Sequence, residues 1–441
     1  MRRLTGAAAV IALGLALAAC TGTGNGTTSV KPAGNGASGS ATAGGTGASA
    51  GASATASPTP TGPAVTITPA NGASGADPAK GITVTTAGGK LKNVSVRTAG
   101  DAVTGTYSGG GSAWHSTWAL NVSQSYTVTV TAAAADGTST TKTSTFRTLT
   151  PTATFSTHIM EGFQQAYGVG MPIILYFSQP IKDKAAVESA LQIKTSKPVV
   201  GAWYWDEPCN MAPACVYFRP RDYWPTGTTI SFTGHLDGVE AAPGLYGYHT
   251  LTQTFSIGQS VIAVASTRSH RTQIYIGGKL KYNWPISSGK PGDDTPDGSY
   301  LTIEKENPVE MKGPGYDIMV PYSVRFTWSG DYYHDAFWSV GQQGFENVSH
   351  GCVNLSPANS ATYYNLAVPG DPITIKDSPR PGAWDNGWTM WFLSWNQYLR
   401  GSALHQAVVA GPQGSKFVDP KTLPASKAKA PLETAFAGNG G

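Results

Sequence analysis

The segment Ser349-His350-Gly351-Cys352-Val353-Asn354 and, 15 residues ahead of Ser349, His334 bring a thiol, two imidazoles and a glycine-loosened backbone into one short stretch. A thiol attacks as its thiolate, and a free one is only a few per cent ionised near neutrality, so such a cysteine needs a base or cation beside it. His334 and His350 are both candidates for that base. Attack on an amide carbonyl also creates an oxyanion, best met by fixed N–H donors, and Gly351 lets the chain turn its amides inward with no Cβ in the way. The amides of His350, Gly351 and Cys352 are the candidate donors. Just beyond, Ser356 and Pro357 read as the N-cap and first residue of a helix, so the nucleophile would sit on a rigid turn. The chemistry is cysteine acyl transfer, which needs no cofactor. Asp335, His334, His350 and Cys352 are also zinc-ligand types, yet no His-Glu-x-x-His stretch and no second cysteine pair accompanies them, and no metal is expected.

The stretch from His334-Asp335-Ala336-Phe337-Trp338-Ser339 to Asn354 resembles the signature of the L,D-transpeptidases with the YkuD catalytic domain. In that signature a His is followed about fifteen residues later by Ser or Thr and then His-Gly-Cys-x-Asn. Gly330 and the segment Thr295-Pro296-Asp297-Gly298-Ser299-Tyr300 add to the likeness, which spans residues 261–377. The resemblance implies that Cys352 is acylated by the stem peptide of peptidoglycan, that His334 is the base, and that the backbone of residues 350–352 forms the oxyanion hole. It also implies carbapenems as covalent inhibitors. One position departs from the pattern: Asp335 stands where relatives often carry Ser. If only its carbonyl orients the imidazole the change is neutral, whereas a carboxylate against the ring would favour imidazolium and alter the pH profile.

The elements that must position this site read as β-strands. Val261-Ile262-Ala263-Val264 and Gln273-Ile274-Tyr275-Ile276 open the catalytic region, and residues 304–322, with Gly313, Pro314 and Gly315 near their centre, read as a hairpin lid over the cleft. Tyr316 and Tyr322 on that lid are candidate substrate contacts. Ser349, Trp338 and Asn354 are grouped with them, Asn354 also holding the Cys loop. After residue 377, Trp384, Trp388, Trp391, Trp395 and Tyr398 fall partly at helical spacing and predict a helical extension, 378–410, packed on the catalytic domain. Residues 411–441 read as a loosely ordered tail.

Ahead of the catalytic region the chain is organised for export. Residues 1–20 carry the charged start and short apolar run of a signal peptide, too short to span a bilayer, and end in Leu17-Ala18-Ala19-Cys20, which looks like a lipobox with Cys20 as the lipidated residue. Residues 21–62 are almost wholly Gly, Ser, Thr, Ala and Pro and read as a flexible tether. Residues 63–150 and 151–258 alternate apolar and polar positions between turn signals, as in Tyr126-Thr127-Val128-Thr129-Val130 and Asp136-Gly137, and predict two immunoglobulin-like sandwiches in tandem. The fold class is therefore mostly β: two sandwich modules, a YkuD-type β-sandwich over 259–377 with a short helix after the Cys, and the C-terminal extension. Trp203 and Trp205 offer either core packing or a sugar-binding face. Cys209 and Cys215, close together in an exported chain, can pair, for about 2 kcal/mol by chain entropy, or remain free thiols.

A formal charge of +4 over 441 residues, with no concentrated basic run, argues against nucleic acid as a partner. The expected partners are donor and acceptor stem peptides and, through Cys20, the membrane. The enzyme is expected on the outer face of the bacterial cytoplasmic membrane, facing the wall. The reaction the resemblance implies is a 3→3 cross-link with release of D-alanine. L,D-carboxypeptidase action and attachment of a protein to the wall use the same site, and a lipid-anchored wall-binding protein without catalysis is the reading outside enzymology.

Overall fold

A computed structural model describes residues 62–313 and 316–426. The export segment, Cys20 and the tether up to residue 61 lie outside the described residues. Among the described residues no helix is long and apolar enough to cross a membrane.

The first sandwich forms because its strands alternate strictly. In Ser125–Ala133 the side chains of Tyr126, Val128, Val130 and Ala132 are buried, while the threonines between them face outward and pair hydroxyl to hydroxyl with those of Ser139–Thr148. Two four-stranded sheets close over this apolar face. The hairpin between those two strands turns at Gly137, whose φ of 89° lies in the left-handed region open to glycine.

The second sandwich pairs a six-stranded with a four-stranded sheet. Its core decides between the two readings of the tryptophan pair. Trp203 is fully enclosed between Phe218 and Phe232, and Trp205 is buried on Phe177 with its indole N–H donated to Glu188 at 2.9 Å, so neither forms a sugar-binding face. Cys209 and Cys215 are joined as a disulfide.

Two expectations for the C-terminal part are corrected. Residues 411–426 are not a loose tail: Ala407–Gly411 and Gly414–Val418 form a hairpin that extends the six-stranded sheet along Val199–Asp206. That strand would otherwise present an unpaired edge, and Ala407, Val408 and Ala410 supply buried apolar side chains for it. The extension is only briefly helical, at Trp395–Leu399, and does not pack on the catalytic domain alone. Tyr398 lies on Tyr204 of the second sandwich at 5.1 Å and Trp391 on Tyr223 at 4.4 Å, whereas Phe392 meets Tyr300 at 5.1 Å and Trp388 meets Trp328 at 6.2 Å in the catalytic domain. The aromatic residues serve two partners on different sides, so their spacing does not mark one helical face.

In the catalytic domain a five-stranded sheet faces a four-stranded one made, in order, of Glu304–Glu306, Ser323–Arg325, Tyr332–Asp335 and Val353–Leu355. Between them lies a core that includes Ala263, Ile274, Val324, Tyr333, Val353, Leu355 and Ile373. Helix Pro357–Leu366 starts where Ser356 accepts the N–H of Asn359 and covers one side of Tyr333 with Tyr363, 4.9 Å between rings.

Candidate active site

The position of the candidate nucleophile, Cys352, follows from strand register. Tyr332–Asp335 and Val353–Leu355 run parallel, Tyr333 opposite Val353 and His334 opposite Asn354. Side chains alternate across a strand, so while Tyr333 and Val353 enter the core, Tyr332, His334, Asn354 and, one step before the strand, Cys352 share the other face. With a rise of about 3.3 Å per residue and strands about 4.8 Å apart, the Cα atoms of Cys352 and His334 are set roughly 8 Å from one another, a gap that the two side chains span when they lean together.

The imidazole of His334 is almost completely buried. Its Nδ1 lies 2.7 Å from the carbonyl oxygen of Asp335. A carbonyl can only accept, so Nδ1 carries the proton and Nε2 keeps its lone pair for an incoming one. Burial pushes the His334 pKa down to about 4, against a smaller upward pull from that carbonyl, so the ring is neutral at ordinary pH and its Nε2 is free to accept a proton.

Around the thiol the surroundings are apolar: Val309 and Val320 at the root of the lid, Met311, and Tyr332 pack beside Cys352. Burial, reinforced by the nearby charge of Asp331 and opposed by the N–H of Tyr332, pushes the thiol up to about 12. The S–H donates to the carbonyl of Gly330 at 3.7 Å, and among the described residues it makes no hydrogen bond to His334. The resting pair is thus a neutral thiol and a neutral imidazole on one face, the thiol parked on a neighbouring carbonyl.

The turn carrying Cys352 is braced from within. Ser349 donates its hydroxyl to the Cys352 carbonyl at 2.6 Å and accepts the N–H of Gly351 at 3.2 Å. Thr295 donates to the Gly351 carbonyl at 2.6 Å and itself accepts the N–H of Gly289. Gly351 sits at φ 130°, and a Cβ there would lie 2.3 Å from Oδ1 of Asp331, so both conformation and space demand glycine. Over this turn folds the lid, Val309–Gly313 paired with Tyr316–Val320, whose tip residues 314 and 315 lie outside the described residues. Tyr316 reaches the imidazole of His350, 5.1 Å between rings.

A family model described as the L,D-transpeptidase catalytic domain matches residues 260–375, and one described as a bacterial Ig domain matches residues 73–240. L,D-transpeptidase 5 of Mycobacterium tuberculosis is 32% identical over 351 residues, covering 78% of this chain and 77% of that protein. The chain belongs to the L,D-transpeptidase family. L,D-transpeptidase 2 of the same species is 31% identical over 355 residues, covering 77% of this chain and 85% of that one. A solved L,D-transpeptidase in complex with imipenem aligns with 51% of this chain and 100% of its own at 35% identity, with a TM-score of 0.43.

In this L,D-transpeptidase the candidate residues separate by what they touch. Trp338, half exposed, lies 5.9 Å from the His334 ring in near-parallel orientation, and Tyr316 borders His350, so each stands beside one imidazole of the motif. Three expected substrate contacts are turned elsewhere. Ser349 spends its hydroxyl inside the turn. Asn354 is buried and donates to Ser339 at 2.9 Å, holding the turn that carries Trp338. Tyr322 stands at the base of the lid against Tyr364 of the helix, at 5.8 Å. Of the three amides proposed for the oxyanion, that of Gly351 is committed to Ser349, which leaves those of His350 and Cys352 as the candidate donors. His350 is exposed and accepts from Lys290 Nζ at 3.0 Å. Sequence reasoning passed over Asp331 and Lys290 and gave Thr295 no role beyond its place in the quoted segment. Asp331 had one signal, an acid directly after Gly330 and three residues before His334.

The departure at position 335 is neutral by geometry. The carbonyl of Asp335 fixes the imidazole, while its carboxylate, raised above the usual range by burial, turns to the N–H of Phe337. Asp335→Ser is therefore expected to leave the rate of carbapenem acylation within about twofold of wild type, since the backbone carbonyl is unchanged. A loss of tenfold or more in a stopped-flow measurement would show that the carboxylate acts on the ring.

Proposed function

We propose that this L,D-transpeptidase forms 3→3 cross-links in peptidoglycan through a thioester on Cys352. The observation that carries the reading is the pairing of Tyr332–Asp335 with Val353–Leu355, which sets a proton-fixed imidazole and the thiol on one face. Nε2 of His334 takes the thiol proton as sulfur attacks the carbonyl of the donor stem's third residue. The oxyanion falls to the amides of His350 and Cys352. Collapse expels the terminal D-alanine, whose nitrogen receives the proton from His334. The side-chain amine of a second stem then attacks the thioester, returns a proton by way of His334 to the departing sulfur, and leaves an amide cross-link. The family resemblance supplies the substrates, and the residues supply the chemistry.

Water competes with the amine for the thioester. The apolar collar of Val309, Val320, Met311 and Tyr332, with the lid above it, favours a bound amine over bulk water and supports transpeptidation over L,D-carboxypeptidase action. Incubating the full chain with disaccharide-tetrapeptide tests this by product mass. Dimer with free D-alanine is expected. Tripeptide alone would make the protein a carboxypeptidase, and unchanged substrate would point to a wall-binding role or to attachment of a protein to the wall.

The same reading places the enzyme outside the cytoplasmic membrane, held by acyl chains on Cys20 and a tether over residues 21–62. Two lipid signals anchor stably where one does not, so Cys20→Ala is expected to move the protein from the membrane pellet to the soluble fraction. Retention in the pellet would reject the anchor.

A further inference from the structure

The carbonyl that holds the resting thiol belongs to a turn that is clamped from outside the catalytic domain. Residues 327–330 fold back through Gly330, at φ 99°, whose N–H donates to the Thr327 carbonyl at 3.3 Å. On one side Arg325 holds two carbonyls of this turn, Thr327 by Nε at 2.9 Å and Trp328 by Nη2 at 2.8 Å. On the other side stands Asn386 of the C-terminal extension. Its Oδ1 accepts the N–H of Ser329 at 2.8 Å and its Nδ2 donates to Ser329 Oγ at 2.9 Å. Ser329 Oγ passes its own proton to Oδ2 of Asp331 at 3.0 Å, where Thr327 Oγ1 also donates at 2.7 Å, and the other oxygen of Asp331 abuts Gly351.

We propose that Asn386 is a positioning residue for the Cys352 thiol, acting through the turn 327–330 and its Gly330 carbonyl. A two-point amide clamp fixes both the position and the rotation of Ser329, and through it the carbonyl one residue later. The close approach beside it is part of the same device: a Cβ on Gly387, at φ 132°, would meet the carbonyl oxygen of Phe326 at 2.8 Å, so the extension lies directly on the start of the turn. The extension thereby does more than join the second sandwich to the catalytic domain; it sets the direction of the nucleophile. The inference rests on Cys352 being that nucleophile.

In the full chain, Asn386→Ala removes both points of the clamp and Ser329→Ala removes its side-chain point together with the hydrogen bond to Asp331, neither touching the thiol. Each is expected to lower the carbapenem acylation rate constant roughly tenfold at an unchanged melting temperature, since small misplacements cost that much in a positioned reaction. The double variant is expected to lose less than the two single losses combined, because the bond from Asn386 Nδ2 to Ser329 Oγ is common to both. Alkylation of Cys352 by iodoacetamide, followed by peptide mass mapping, reads the thiol independently of any transpeptidase chemistry. In Asn386→Ala its pH midpoint is expected to fall, because the S–H loses the acceptor that favoured the protonated form. Wild-type acylation rates, additive losses, a rate loss matched by a lowered melting temperature, or an unmoved alkylation midpoint would each overturn the proposal. A wild-type protein that resists carbapenem while Asn386→Ala still shifts the alkylation midpoint would instead overturn the transpeptidase reading and leave the clamp standing.

Discussion

Cys352→Ala yields a folded protein that takes up no carbapenem and forms no cross-linked dimer. The loss is complete and not graded, because in the proposed mechanism only the thiol forms the covalent bond, His334 acts as its base, and the hydroxyl of Ser349 is consumed within its turn. Stability changes little. The sulfur packs against Val309, Val320 and Tyr332, and removing one atom from that collar costs about 1 kcal/mol. Intact-protein mass after incubation with carbapenem, alongside a melting curve, checks both statements. An adduct on the variant would assign the nucleophile elsewhere.

His334→Gln lowers acylation at neutral pH by roughly 10²- to 10⁴-fold, the usual worth of a positioned base. The pH dependence separates this from a general loss of structure. With the imidazole pushed down to about 4 and the thiol up to about 12, both by burial, the two groups are uncharged across the neutral range. The wild-type rate therefore climbs through an acid limb near pH 4 as His334 loses its proton and then stays level into the alkaline range. In the glutamine variant the reaction relies on spontaneous ionisation of a thiol whose pKa lies far above neutrality, so its rate rises about tenfold per pH unit over the same range. A variant with the wild-type rate and a level profile would move the base to another group. A wild-type enzyme with a step near pH 6 to 7 would instead mean that the pair ionises in its resting state.

The chemistry was legible because it is local. Six consecutive residues and a histidine carry the family likeness and the proposed chemistry, and the N-cap pair Ser356 and Pro357 states where the following helix begins. The alternation of Tyr126, Val128 and Val130 announced a sandwich for the same reason: the period of a half-buried strand is written into each strand by itself. What escaped depends on partners distant in the chain. Ala407–Gly411 became a sheet strand only because Val199–Asp206 had a free edge, and no local signal marks that edge. The tryptophans after residue 383 divide between two domains, so their spacing described no single face. Asp331 acquires its importance from lying against Gly351, 20 positions further along, and Asn386 from a turn more than 50 residues before it. Ser349 and Asn354 illustrate the converse. Both belong to the motif, yet their polar groups build the turn and its support and do not point into the cleft.

The proposed reaction turns on a thioester between donor peptide and Cys352. Mixing the full chain with disaccharide-tetrapeptide, quenching in acid within seconds, and mapping the intact and digested protein by mass tests it directly. The expected result is a mass increase equal to the donor less D-alanine, carried by the peptide that contains Cys352 and chased away when acceptor amine is added. Product formation with no such adduct at any time, or an adduct on another residue, would contradict the account.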